Sequence, residues 1–111
     1  ILLHVESFDE AIIPKLKYAF STKIAQCLCA GRCFVSFAPE GTASSRYLQE
    51  AEGALLVSDE TELERLLKEL VADPALRRAC AQKAAATGRA NHDMEATAAR
   101  VRREMEGLLH G

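Results

Sequence analysis

The chain opens on Ile1-Leu2-Leu3-His4-Val5, apolar everywhere but at His4 and without a helical period. A short run of this kind suits a strand buried on both faces. His4 reads there as an ordinary strand histidine rather than as a ligand. Residues 6–20, ESFDEAIIPKLKYAF, are more polar. Pro14 biases Ile13 away from helix, so the stretch reads mostly as loop. Loops of this length inside a compact domain are uncommon and often functional. Ser21 or Thr22 can then cap a helix that closes at Gly31, a left-handed residue just past its end.

The next apolar run, CFVSF at 33–37, is a second strand, and APEG turns the chain after it. Thr42 caps a helix reaching about Ala51, with Tyr47, Leu48 and Ala51 on its apolar side, and Gly53 ends it. ALLV at 54–57 is the third strand. Asp59 with Glu62 forms a capping box. Leu63, Leu66, Leu67, Leu70 and Val71 follow it on one helical stripe. Asp73-Pro74 marks a fresh helix start, which the spacing carries to about Thr87 and stops at Gly88. Asn91 caps the last helix, whose expected core face is Met94, Ala98, Val101, Met105 and Leu108.

Strands alternating with helices mean a parallel sheet with right-handed crossovers. The expected fold is therefore α/β: a three-stranded parallel sheet with crossover helices, a partial Rossmann-like half, plus two C-terminal helices. Three strands leave two open edges, so self-association through those edges is expected. The apolar opening of the chain suggests a single partial domain over 1–111, with an N-terminal part of a longer parent preceding it.

Charge narrows the partners. Fourteen basic against sixteen acidic residues give a formal net charge of -2. That excludes broad nucleic-acid binding, which needs a basic face. No apolar run approaches the roughly 20 residues of a membrane span, and a cytoplasmic location is expected. Arg77, Arg78, Arg100, Arg102 and Arg103 are interleaved with Glu95, Glu104 and Glu106, which reads as a solvated face; peripheral contact with an anionic membrane is the other use of such a surface.

Cys27, Cys29 and Cys33 fall close together before the second strand, with Cys80 far along the chain. Positions two apart on a helix lie about 200° apart around its axis, so Cys27 and Cys29 cannot share one ion. The C-x-x-C spacing of zinc and redox pairs is absent. The cysteines read as small apolar packing residues in a reducing compartment, and no metal is expected. The helix start offers different chemistry. Thr22, Lys23 and Gln26 cluster near a first turn that has free amides and the positive end of a helix dipole. This arrangement suits either an anion such as a phosphate or a plain N-cap with solvated neighbours.

The segment YAFSTKIAQCLCAGRCFVSFAPEGTASSRYL, 18–48, resembles the nucleotide-binding half of the GT-B, group 1-like glycosyltransferases. In that family a Tyr-x-x-Pro-Ser/Asn-Lys loop leads into Ile/Leu-x-Glu-Tyr-Leu-Ala-x-Gly-Lys-Pro-Val. Tyr18, Ser21, Thr22, Lys23, Ile24, Leu28, Ala30 and Gly31 match it or substitute modestly. GALLVSD at 53–59 is similar to the family's last strand, and residues 62–93 to its closing helices. The resemblance implies a site for a nucleotide-sugar donor as substrate, with no further cofactor. Ser21, Thr22 and Lys23 would face the diphosphate, Gln26 the ribose, and Tyr18 would lie on the loop before them. The family often has Glu where this chain has Gln26, and retaining members have a second Glu where it has Tyr18. Retention or inversion therefore stays open. The resemblance further implies a parent enzyme of hexosyl transfer, working on bacterial surface polysaccharide at the inner face of the membrane. Its acceptor site and base would lie in the missing N-terminal domain, leaving this segment inactive alone. The rival from another class is a non-catalytic α/β scaffold or dimerisation module.

Overall fold

A computed structural model of the chain describes residues 1–110. The elements follow in the order β1 (Leu2–Val5), α1 (Ile13–Leu16), α2 (Lys23–Cys29), β2 (Phe34–Phe37), α3 (Ala43–Ala51), β3 (Leu55–Val57), α4 (Glu60–Ala72), α5 (Pro74–His92) and α6 (Met94–His110). The strands form one parallel sheet in the order β1-β2-β3. Register pairs His4 with Ser36 and Ser36 with Leu56. The expected α/β class and its three parallel strands are thus present.

Alternation along each strand divides the sheet into two faces. On one face Phe34 packs with Ile24 and Leu28 of α2, Leu48 of α3 and Ala84 of α5, and Leu2 joins them. On the other, Cys33 and Val35 pack with Leu70, supported by Leu63 and Leu66 of α4 and by Leu76 and Cys80 of α5. α5 therefore belongs to both layers. β1 is covered on one side only: His4 is buried, while Leu3 and Val5 are exposed.

Several start and stop signals act as expected. The Thr42 hydroxyl accepts from the Ser45 amide at 3.1 Å. Asp59 accepts from the Thr61 amide at 2.7 Å, and Asp73 from the Leu76 amide at 3.1 Å. Gly31 takes φ +65° behind α2, where a Cβ would be strained.

Others are corrected. Thr22 has helical angles, φ -66° and ψ -21°, and neither it nor Ser21 caps α2. The Ser21 amide instead donates to Ser44 Oγ at 3.2 Å. The loop 6–20 contains the single turn α1, with Pro14 among its first residues; proline there removes only an amide that had no intrahelical partner. α3 ends near Ala51 as expected, but Glu52, with φ +58°, takes the left-handed position, and Gly53 serves packing, since a Cβ on it would collide with Leu28 Cδ2.

α5 does not stop at Gly88 but runs to His92, and the next cap is Asp93, which accepts from the amides of Glu95 and Ala96. Asn91, the expected cap, donates instead to the Tyr47 hydroxyl at 3.2 Å. That hydroxyl lies 2.5 Å from His92 Nε2, so the end of α5 is fastened to α3. The expected core face of α6 is absent: Met94, Val101, Met105 and Leu108 are all exposed, and α6 buries no residue. Only Asp93 separates α5 from α6, and this short junction leaves α6 without a neighbouring layer to pack on. On α4, Leu70 is buried as expected while Val71 is exposed.

Candidate functional site

Parallel strands all end at one rim, and crossover helices begin there, so the carboxyl rim gathers loop backbone and helix starts. A cleft of about 450 Å³ opens at this rim beyond β1. One wall is the end of the strand, His4 to Ser7; the other is the α1–α2 connection, with Leu16, Ala19, Phe20, Ser21 and Lys23. Arg46 of α3 donates to the Lys17 carbonyl at 2.7 Å, and the Phe20 ring meets Tyr47 edge-on at 5.1 Å. With the Ser21–Ser44 bond, these contacts fix the connection against α3.

Of the residues singled out from the sequence, Ser21 and Lys23 line this cleft. Ser21 is half-buried, and Thr22, Lys23 and Gln26 are exposed. Thr22, Gln26 and Tyr18 do not line it, and Tyr18 is 82% exposed on the loop.

The cleft also holds a residue that the sequence did not single out. Glu6 follows β1 by one position and its side chain is 5% exposed. His4 Nε2 lies 3.2 Å from its Oε1. Two residues apart on extended chain, both side chains fall on the same face, which the i, i+2 spacing could have revealed. Glu6 Oε2 is buried with no protein partner, and so is Ser36 Oγ. An unsatisfied buried acceptor costs about 1–3 kcal/mol, more if charged. Ser36 lines a second cleft, about 480 Å³, at the ends of β2 and β3 beside Glu40, Gly41 and Ser45. The two orphaned oxygens thus both lie at the same rim.

Cys33 is buried while Cys29 is exposed. Burial pushes the Cys33 thiol above its usual range, and neighbouring Cys80 adds to the effect. Burial also raises Cys27, partly opposed by the positive charge of Lys23. Cys29 Sγ makes long contacts, 3.8 Å to the Gly88 carbonyl and 3.9 Å to that of His92. Cys27, Cys33 and Cys80 pack in the two core clusters as expected, whereas Cys29 is exposed at the end of α2 and departs from that expectation.

Compared with known families, residues 1–103 match the model described as glycosyl transferase-like. The chain belongs to that family. Comparison with curated proteins and with solved structures gave no match. Membership ties the glycosyl transferase-like chain to glycosyl transfer in general, and the carboxyl rim is where its sheet topology favours a ligand. Among the described residues no helix is long and apolar enough to cross a membrane.

Proposed function

We propose that this chain is the donor-binding segment of a GT-B glycosyltransferase and holds a nucleotide sugar at the carboxyl rim. The observation that carries this is the cleft beyond β1, where Lys23 and Ser21 face the strand end. An ammonium group and a hydroxyl on a partly apolar wall suit a phosphorylated ligand. In this proposal Ser21 and Lys23 serve the diphosphate inside the cleft, while Thr22, Gln26 and Tyr18 lie outside it; Gln26, a neutral amide, serves the ribose only of a donor that extends out of the cleft. The acceptor site and catalytic base belong to an N-terminal domain of the parent, so the segment alone does not turn over. Work on a surface polysaccharide at the cytoplasmic face of a membrane is part of the same proposal and rests on the resemblance.

Exposed apolar side chains on β1 and α6, among them Val5, Met105 and Leu108, favour a second reading as a scaffold or dimerisation module. One experiment separates the two. UDP, GDP and ADP are titrated while thermal unfolding is followed, since a ligand that binds only the folded state raises Tm. The donor proposal expects a rise with at least one nucleotide, reduced by Lys23→Ala. No shift with any of them, together with a concentration-dependent mass in solution, supports the scaffold.

A further inference from the structure

We propose that Glu6 is the sugar-hydroxyl acceptor of the cleft beyond β1, with its free Oε2 taking a hydrogen bond from a polyol next to the phosphates. This deepens the donor-site proposal and rests on it. The carboxylate is held rather than free to turn: its side chain is 5% exposed, and His4 Nε2 stands 3.2 Å from Oε1. Its second oxygen has no partner within the protein. Glu6 forms part of the cleft wall, and its Oε2 lies just beneath that surface, so a hydroxyl in the cleft reaches it once the covering side chains shift.

The charges set the orientation of that ligand. A carboxylate repels phosphate, so a phosphorylated ligand puts its anionic part toward Lys23 and a neutral part toward Glu6. Ionised carboxylates only accept hydrogen bonds, and the neutral part must therefore carry O–H or N–H donors. Phe20 and Leu16 on the facing wall offer the apolar surface that the C–H face of a sugar ring can cover. An acceptor on one side and an apolar wall on the other describe a sugar. Either the ribose or the transferred hexose could supply the hydroxyl.

The test compares the unmodified chain with Glu6→Gln, which keeps the shape and the contact to His4 but removes the charge. UDP, GDP and ADP are titrated by NMR beside UDP-glucose, GDP-mannose and ADP-glucose, and Tm is measured without ligand. We expect Glu6→Gln to melt at about the same temperature, because the amide keeps the contact to His4 while a buried charge with one unpartnered oxygen is gone. We also expect it to weaken the best nucleotide sugar by about tenfold to a hundredfold, the range of a hydrogen bond to a charged group. If the hexose supplies the hydroxyl, the matching nucleoside diphosphate keeps its affinity; if the ribose does, both weaken alike. A lower Tm with affinities unchanged makes Glu6 a structural residue and overturns the inference while the donor site stands. Absence of binding by the unmodified chain to all six probes overturns the donor site and this inference together.

Discussion

Gly88 lies inside the last turns of a long helix, where glycine is costly, yet the helix continues through it to His92. Its position explains why. A Cβ built on Gly88 would lie 2.9 Å from the Leu28 carbonyl carbon, 3.0 Å from the Cys29 nitrogen and 3.0 Å from the Leu28 oxygen. All three are backbone atoms of α2, which cannot rotate aside as a side chain would. Gly88→Ala should gain about 1 kcal/mol in helix propensity. Against this, overpacking costs about 1–3 kcal/mol, and contact with backbone puts the site at the upper end of that range. The net expectation is a loss of about 1–2 kcal/mol, which for a domain of this size lowers Tm by about 5–15 °C. Thermal unfolding followed by circular dichroism measures it. Gly107→Ala is the control, because a Cβ there meets nothing within 4 Å. In α6 the propensity term acts alone, so helicity should rise with no loss of Tm. If Gly88→Ala matched Gly107→Ala in sign, α2 and α5 would not cross as closely as described.

Further outcomes can be checked in the same way. Deleting residues 94–111 should leave Tm within about 2 °C of the full chain, because α6 buries nothing and unburied surface adds little stability. Thr42→Ala should cost about 1 kcal/mol by chemical denaturation, since its hydroxyl caps α3 and also donates to Ser45 Oγ at 2.9 Å. His4→Ala should destabilise by about 3 kcal/mol by leaving the Glu6 carboxylate buried alone; adding Glu6→Gln should restore part of this in a double-mutant cycle. Thiol-modifying reagent should label exposed Cys29 first and Cys33 last. Because burial, with neighbouring Cys80, raises the folded Cys33 thiol above its ordinary pKa, its contribution is fully present below the unfolded pKa and is lost as pH rises through the folded one. Denaturation midpoints should therefore fall above about pH 9, and Cys33→Ala should flatten that slope.

Local chemistry made much of this fold legible. The strands at 2–5, 34–37 and 55–57 were visible as short apolar runs, and Thr42, Asp59 and Asp73 as caps, because a cap needs only a side-chain oxygen near a free amide a few residues on. The failures have a common cause. Gly53 and Gly88 look like stops because glycine is a poor helix former, but each is small in order to let another element approach: Leu28 touches both positions. α6 has a well-formed apolar stripe, and a stripe announces an amphipathic helix without saying what covers it.

The candidate site divides along the same line. Sequence alone determined the order of strands and helices, the α/β class and the placing of Ser21 and Lys23 at a helix start, since each depends on neighbours within a few residues. Tertiary structure alone decided that those two residues face the end of β1 and that Tyr18, Thr22 and Gln26 stand outside the cleft. It also decided that Glu6 is buried with one oxygen unpartnered. Burial is the reason: whether a carboxylate reaches water depends on which distant segments fold over it, and periodicity along the chain carries no record of that.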